Sequence, residues 1–271
     1  MRCVFWCDME GVAGITKWDQ VLSTANQYEE GRRLYTEEIN ACVRGAKKAG
    51  YKEIIVVDGH GAGGEYAFNS LIKDKLERGA EYVFGYRWGS YIEPLQSDCD
   101  AMLLPGAHAM AGTPDGVLCH TMSSQNFYNA TINGKLVGES GIVAAIAASF
   151  NVPTIFVSGD ESTCREVREL LGKSLFCAQV KKGLNRFAAR TMAPADACAL
   201  IEATVLTALK NPKKWPKPLK LSSPVEFKVE LASPDKTKDF IGKVGCEIVG
   251  PRTVIAKGKT FWEAWNHFWY H

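Results

Sequence analysis

The most constraining feature of the sequence is its beginning, MRCVFWCDMEGVAG, in which an apolar run ends in two acids. The uncharged run from Cys3 to Cys7 is typical of a buried strand, and Asp8 and Glu10 follow it. In extended backbone, residues two apart point to the same side, so both carboxylates would face one place. Two carboxylates that close repel each other and lose hydration, so the pattern indicates a compensating cation.

Strand and helix patterns alternate along the first two thirds of the chain. Strands are predicted at 2–7, 53–57, 80–85, 101–106 and 153–159. Helices are predicted at 27–49, 139–150 and 161–172. Asn133-Gly134 adds a hairpin turn. This order predicts an α/β fold with a mostly parallel sheet that is covered by helices on both faces.

The composition changes after residue 210. The segment 211–224 contains four prolines and four lysines, which favours an extended connector. Strand patterns at 225–231 and 246–258 follow, and the chain closes with an aromatic helix, TFWEAWNHFWYH. We therefore expect an α/β catalytic domain over 1–210 and a smaller α+β unit over 211–271. The aromatic helix is either a subunit contact or a local part of the core.

Composition excludes several classes of function. With 32 basic and 30 acidic residues, the net charge of +2 gives no reason to expect nucleic acid or an anionic membrane as partner. The nine cysteines are scattered without a C-x-x-C pair, which predicts reduced thiols and a cytoplasmic protein. The uncharged stretch 140–159 has Asn151 and Pro153 at its centre, so a buried helix and strand explain it better than a membrane span.

Acids and imidazoles follow four of the predicted strands. These residues are Asp8 and Glu10, Asp58 and His60, His108, and Asp160 and Glu161. Because ligands bind beyond the carboxyl ends of parallel strands, we expect one shared site at this edge. Two alternatives remain open: Asp58 orients His60 or caps a helix, and Asp160 and Glu161 form the cap and first turn of the 161–172 helix.

Two further residues are candidates for the same site. Of five histidines, His267 and His271 are interpreted as surface or packing residues, which leaves His120 beside His60 and His108. Glu139 begins an almost wholly apolar helix, where the helix dipole alone does not compensate a buried charge. A metal ion or a basic partner would compensate it.

The residue types indicate the kind of metal. Carboxylates and imidazoles without a thiolate pair fit zinc, manganese or cobalt. Five or six such ligands exceed the need of one tetrahedral ion. Two ions about 3.5–4 Å apart that share a carboxylate would use them all.

Several motifs together resemble one known family. They are DMEGVAG (8–14), EEGRRLYTEEIN (29–40), DGH (58–60), GAHA (106–109), HTMS (120–123), INGKLVGESG (132–141) and VPTIFVSGD (152–160). In order and approximate spacing they resemble the DppA-type zinc-dependent D-aminopeptidases. Two features depart from the family pattern: Trp6 stands where a small serine is usual, and the segment YRWGSYIEP (86–94) has no clear counterpart.

The resemblance implies a binuclear zinc site, with two Zn²⁺ per subunit or Mn²⁺ or Co²⁺ in their place. Asp8 would bridge both ions, and Glu10, His60, His108 and Glu139 would complete the ligands. His120 matches the family's catalytic histidine. The resemblance also implies a homodecameric ring and short peptide substrates with an N-terminal D-residue.

Two rival interpretations stay open. Another binuclear metallohydrolase, such as a phosphoesterase, would use similar carboxylates and imidazoles. A non-catalytic protein could bind an anion at the backbone amides of GHGAGG (59–64). That loop has neither the Walker lysine nor the G-x-G-x-x-G pattern.

Overall fold

Two sheets form the protein, which is described by a computed structural model over residues 1–86, 92–96 and 98–270. The strands are, in chain order, β1 (Arg2–Cys7), β2 (Glu53–Asp58), β3 (Glu81–Val83), β4 (Cys99–Ala107), β5 (Phe127–Ile132), β6 (Lys135–Leu136), β7 (Thr154–Asp160), β8 (Phe176–Asn185), β9 (Ala188–Thr191), β10 (Val225–Leu231), β11 (Cys246–Gly250) and β12 (Thr253–Gly258).

Six α-helices connect or cover these strands in the described part of the chain. They are α1 (Tyr28–Ala49), α2 (Glu93–Gln96), α3 (Glu139–Ser149), α4 (Glu161–Leu171), α5 (Pro194–Lys210) and α6 (Phe261–Trp269). Gly50 ends α1 with a left-handed φ of 93°, which glycine adopts without steric cost. The predicted helices at 27–49, 139–150 and 161–172 therefore agree with the structure to within one or two residues.

The larger sheet has seven strands in the order β3-β2-β1-β4-β7-β8-β9. Its neighbours run parallel, except that β9 is antiparallel to β8. From β1 the chain builds outward to β2 and β3, and then crosses to β4 on the other side. The gap between β1 and β4 is thus a topological switch point, where ligands commonly bind.

Helices lie on both faces of this sheet, as the sequence predicts. Helices α1 and α5 pack against each other and share one apolar core with β1 and β8. Helix α3 lies on the opposite face, with Ile142 and Ile146 in a second core. The apolar α3 and the strand β7 also account for the uncharged stretch 140–159. Within the described residues, no helix has the length and apolar character to cross a membrane.

The smaller sheet is antiparallel, in the order β11-β12-β10-β5-β6. Its central contact joins the two parts of the sequence, because β10 pairs with β5 in the register Val229↔Ala130. The predicted hairpin at Asn133-Gly134 therefore belongs to the same sheet as the C-terminal strands. The division into 1–210 and 211–271 stays a prediction, with this hairpin shared across it.

Helix α6 inserts its aromatic side chains into the second core. Phe261, Trp265 and Phe268 are buried, and the Trp265 ring lies 5.7 Å from that of Phe227 on β10. His267 packs locally through a hydrogen bond with Lys257 O, whereas His271 lies outside the described residues. All nine cysteines lie in the described ranges and are free thiols.

Candidate metal centre

Four elements bring five of the predicted residues to one edge of the larger sheet. Asp8 and Glu10 follow β1, His60 follows β2, His108 follows β4, and Glu139 begins α3. This edge is the switch point between β1 and β4. The structure thus brings together all five predicted metal ligands, although their roles as ligands remain a prediction.

One half of the cluster is built around one oxygen of Asp8. The Nδ1 atom of His60 lies 3.1 Å from Asp8 Oδ1 and 3.2 Å from Glu10 Oε2. Glu10 and His60 are 3% and 4% exposed, so three polar groups converge in a place nearly closed to water.

The other half is built around the second oxygen of Asp8. The Nε2 atom of His108 lies 3.3 Å from Asp8 Oδ2 and 3.1 Å from Glu139 Oε1. His108 is buried, and so is Glu139. The two oxygens of Asp8 therefore face two separate pairs of donors, which is the arrangement of a bridging carboxylate.

Backbone carbonyl oxygens orient the imidazoles. His60 places Nε2 at 2.8 Å from Val21 O, and His108 places Nδ1 at 2.9 Å from Ala109 O. A carbonyl only accepts, so these nitrogens carry the proton. The other nitrogen of each ring faces the carboxylates, and it is the one that would coordinate a metal ion, as in a metal-binding histidine.

The donor set therefore fits a divalent cation. Among the described residues, Glu10 Oε2 and His108 Nε2 are buried side-chain atoms that make no hydrogen bond. Lone pairs on imidazole and carboxylate repel each other at these distances unless positive charge lies between them. Two groups of acids and imidazoles have ligand atoms within 4.8 Å of one another: His108, His120 and Glu139; and Asp8, Glu10 and His108.

The electrostatics of the site point the same way. Burial alone would lower the pKa of His60, but Glu10 and Asp8 raise it well above its ordinary value. Burial alone would likewise lower the pKa of His108, but Glu139 and Asp8 raise it well above its ordinary value. The carboxylates thus stabilise a positive charge beside each imidazole ring, and a bound metal ion would supply that charge in place of a proton.

His120 lies beside this cluster. Its ring stacks on that of His108, with centroids 4.0 Å apart, and its Nε2 lies 3.5 Å from Glu139 Oε1. Its Nδ1 donates to Leu118 O over 2.9 Å, so Nε2 is the nitrogen that faces the site. Burial and the neighbouring His108 charge lower the pKa of His120, which favours the neutral ring.

The loop that carries His120 has unusual backbone geometry. We call residues 109–122 the histidine loop. Leu118 and Met122 have φ angles of 51° and 62°, a left-handed conformation that such side chains rarely adopt. Met122 N donates to Glu139 Oε1 over 2.7 Å, which ties this end of the loop to the cluster. Strain of this kind commonly accumulates at functional sites.

The loop after β1, which we call the acidic loop (residues 8–15), lies against the end of β4. Asp8 N donates to Pro105 O over 3.0 Å, and Gly11 N donates to Gly106 O over 2.8 Å. A Cβ atom at Gly11 would lie 2.0 Å from Ala107 O, so only glycine permits this approach. Direct backbone contact therefore sets the spacing between the acids and His108.

Asp58 and Asp160 support loops instead of joining the cluster. Asp58 accepts from the backbone of Ser70 and Leu71 and from the Tyr35 hydroxyl, and so holds the chain after His60. Asp160 caps α4 by accepting from Thr163 N over 2.8 Å. For Asp160, the helix-cap alternative is the correct one.

A pocket of about 90 Å³ opens over the cluster. Apolar side chains from three distant segments share its wall with the acids and imidazoles: Phe68, Met122 and Trp269. Trp269 belongs to α6, so the C-terminal unit contributes to the site. An aromatic-rich terminal helix is the only sequence signal of this role, and packing explains that signal equally well.

The segment 87–91 of YRWGSYIEP and Ser97 lie outside the described residues.

Trp6, the departure from the family pattern, lies beneath the cluster. Its side chain is buried in the second core, and it lines a small cavity together with Asp8, His108 and Glu139. A Cβ atom at Gly59 would lie 2.6 Å from Trp6 Nε1, so the large ring fits because the residue before His60 is glycine.

Sequence reasoning did not identify Lys181, which is buried on β8. Its Nζ donates to the carbonyl oxygens of Glu10, Val12 and Ile15 over 2.6, 2.8 and 2.7 Å. Burial lowers the pKa of Lys181 to about 8. A single lysine within a strand pattern carries no signal, because its partners are backbone atoms far away in sequence.

Comparison with known proteins places the chain in a family. The family model described as D-aminopeptidase, peptidase M55, matches residues 1–270. The chain belongs to the M55 family of D-aminopeptidases. It is 33% identical over 270 residues to a D-aminopeptidase of Bacillus subtilis, covering 98% of this chain and 94% of that protein.

A solved structure extends this M55 assignment to three dimensions. The Zn-dependent D-aminopeptidase DppA from Bacillus subtilis, described as a self-compartmentalizing protease, superposes with a TM-score of 0.90. The match is 31% identical and covers 99% of this chain and 95% of that one. The family predicted from the motifs is thus confirmed, and the resemblance extends through the C-terminal unit, beyond the motifs in residues 1–160.

Proposed function

We propose that this M55 D-aminopeptidase uses two zinc-type ions and removes the N-terminal residue from short D-amino-acid peptides. One observation carries the proposal: the two oxygens of Asp8 face two separate donor sets, one on each side. A single ion would leave one of these sets, with its buried carboxylate, uncompensated.

Each chain residue has a distinct task in this proposal. Glu10 and His60 would hold one ion, His108 and Glu139 would hold the other, and Asp8 would contribute one carboxylate oxygen to each. The similar Bacillus subtilis enzyme is Zn-dependent. Together with the oxygen and nitrogen ligand atoms, this favours zinc, with manganese or cobalt as substitutes.

A zinc pair of this kind would supply a nucleophile from water at neutral pH and polarise the scissile carbonyl. His120 holds its Nε2 toward the same space and moves the proton from the attacking group to the leaving amine. Its ring is fixed by the bond to Leu118 O and by stacking on His108, so it needs little reorganisation. Phe68 and Met122 line one side of the pocket with apolar surface.

The proposed substrate and assembly follow the M55 family. The similar enzyme is described as self-compartmentalizing, and we propose a homo-oligomer, a decameric ring, for this chain as well.

A metal-reconstituted assay tests this proposal. The panel contains D- and L-aminoacyl amides, D- and L-dipeptides and p-nitrophenyl phosphate, each with the protein as prepared, chelated, and reloaded with zinc. We expect hydrolysis of D-aminoacyl substrates that chelation abolishes and zinc restores. Preference for p-nitrophenyl phosphate would establish a phosphoesterase instead, and metal-independent phosphate binding without turnover would establish an anion-binding protein.

A further inference from the structure

We propose that Lys181 and Asp160 are positioning residues that hold the acidic loop and the histidine loop in one frame. The two residues are direct partners in the register of the parallel strands β7 and β8. They are 2% and 1% exposed, so two opposite charges are buried at neighbouring positions of one sheet edge. This inference rests on the proposed function. It assigns the support of the acidic loop to Lys181 and the support of the histidine loop to Asp160.

Lys181 holds the acidic loop. An ammonium group has three N–H donors, and here all three bind carbonyl oxygens, those of Glu10, Val12 and Ile15. Burying a cation is costly unless its donors are satisfied, and the acidic loop satisfies them with backbone alone. The bond to Glu10 O fixes the backbone from which the Glu10 carboxylate reaches His60.

Glu38 on α1 holds the same loop from its amide side. Its Oε1 accepts from Ala13 N over 2.8 Å, and the residue is 2% exposed. Glu38 thus accepts a hydrogen bond from one backbone N–H of the acidic loop, while Lys181 donates to three of its backbone carbonyl oxygens. The loop is clamped between two layers, and Lys181 is the member that contacts the acid-bearing residue directly.

Asp160 holds the histidine loop. One carboxylate oxygen caps α4, and the other, Oδ2, accepts from Val117 N over 2.7 Å. The next residue, Leu118, accepts the Nδ1 proton of His120. Strand β8 supports the same loop again at Gly183, where a Cβ atom would lie 1.9 Å from Asp115 O. Asp160 therefore sets the backbone that orients the proposed proton carrier.

Substitutions of Lys181 and of Asp160 should impair different properties of the enzyme. Lys181→Met keeps the length of the side chain but removes the donors, so the acidic loop relaxes and zinc affinity falls roughly 10- to 100-fold. Asp160→Asn keeps an acceptor for the helix cap but places an amide against Val117 N. We expect kcat to fall roughly 10- to 100-fold, with KM and zinc affinity at wild-type values.

The neighbouring residues provide a matched control. Glu161, the first residue of α4, and Lys182 on β8 form an ion pair of 2.8 Å, but both side chains are partly exposed. Lys182→Met and Glu161→Gln therefore change the same residue types, one position further along, without reaching either loop. Both should keep wild-type zinc affinity and kcat.

The experiment measures zinc affinity by competition with a chromophoric chelator, then kcat and KM, for the wild type and these four variants. Should Lys181→Met fail to fold, Lys181→Arg decides, because it keeps the charge but cannot place three donors from one atom; it too should weaken zinc binding. Wild-type zinc affinity in a folded Lys181 variant, or wild-type kcat in Asp160→Asn, would overturn the inference. A wild-type protein without zinc affinity would instead refute the proposed function.

Discussion

At the residue scale, the site depends on how the imidazole protons are placed. His60, His108 and His120 each give one ring nitrogen to a backbone carbonyl oxygen. The second nitrogen of each ring is thereby left for the cluster. These bonds fix which nitrogen of each ring faces the cluster, and metal binding would require that nitrogen of His60 and His108 to be free of its proton.

His120 offers the sharpest test at this scale. Replacing it by alanine should lower kcat about 10²- to 10⁴-fold, because general acid–base catalysis is lost. Zinc content should not change, since His120 is not among the five proposed ligands. Enzyme assays on a D-alanyl anilide and elemental analysis check both parts.

His267→Ala is the control for His120→Ala, because its ring bonds to Lys257 O on β12. Near wild-type turnover in His120→Ala would refute the catalytic role. Loss of one zinc ion per chain would make His120 a ligand instead, which its place among the grouped donor atoms also permits.

Glu38 gives a prediction for stability against pH. Burial raises the pKa of Glu38 from 4.5 to about 7. The folded protein therefore holds this proton more tightly than the unfolded chain, so the stabilisation is complete below pH 4.5 and is lost as pH rises through 7. Relative to Glu38→Gln, the wild-type free energy of unfolding should fall by about 3 kcal/mol across this range.

Urea unfolding of both proteins between pH 4.5 and pH 8 measures this difference. Glu37→Gln is the control, since Glu37 is exposed on the same helix and pairs with Arg33. Parallel pH profiles for the wild type and Glu38→Gln would show that the raised pKa is wrong.

The sequence predicted the donors of the site but not the groups that hold them. Acids and imidazoles at strand ends can be identified because parallel strands deliver their carboxyl ends to one edge. The helix cap by Asp160 was predictable because it is local. Asp58, Lys181 and the second oxygen of Asp160 bind backbone atoms of distant segments, and local patterns contain no information about such partners. The residues with ligand chemistry could therefore be predicted from the sequence, whereas the distant residues that hold their loops in place could not.

At the element scale, the predicted strands and helices of residues 1–172 are confirmed, because their apolar periodicity is strong. The sequence did not predict the strands β8 and β9 or the helix α5. It also did not predict that the 127–136 hairpin pairs with β10, since pairing across about 100 residues depends on tertiary contacts. The support from β8 for both loops was hidden for the same reason.

Helix α6 should be anchored mainly by Trp265. This ring is fully buried against Phe227 and Phe261. Replacing it by alanine should lower the free energy of unfolding by about 3–5 kcal/mol, because a large cavity remains. Trp262→Ala on the same helix should cost clearly less, since Trp262 is only partly buried. Urea unfolding measures both, and equal losses would contradict the anchoring role of Trp265.

At the scale of the whole molecule, the wall of the pocket over the cluster is built from residues of both parts of the chain. Segments that follow strands of the seven-stranded sheet supply Asp8, Glu10 and His60, the start of α3 supplies Glu139, and α6 adds Trp269 to the pocket wall. The aromatic helix, which the sequence left open between core and subunit contact, is largely core in the single chain. Apolar side chains remain exposed elsewhere, among them Leu184, Phe187, Ile241 and Val244.

The proposed oligomer is a prediction at this scale. Light scattering at micromolar concentration should give a mass that is a multiple of the 29.8 kDa chain, with ten chains as the proposed ring. A stable monomer at all concentrations that retains full activity would contradict the assembly but leave the metal site unaffected.

The central claim is that Asp8 joins two metal ions at the edge between β1 and β4. Elemental analysis of the purified protein, after dialysis against metal-free buffer, tests it most directly. We predict close to two zinc-type ions per chain in the wild type and fewer than one in Asp8→Ala. A wild-type protein that holds one ion or fewer, or an Asp8→Ala variant that retains both, would contradict the account.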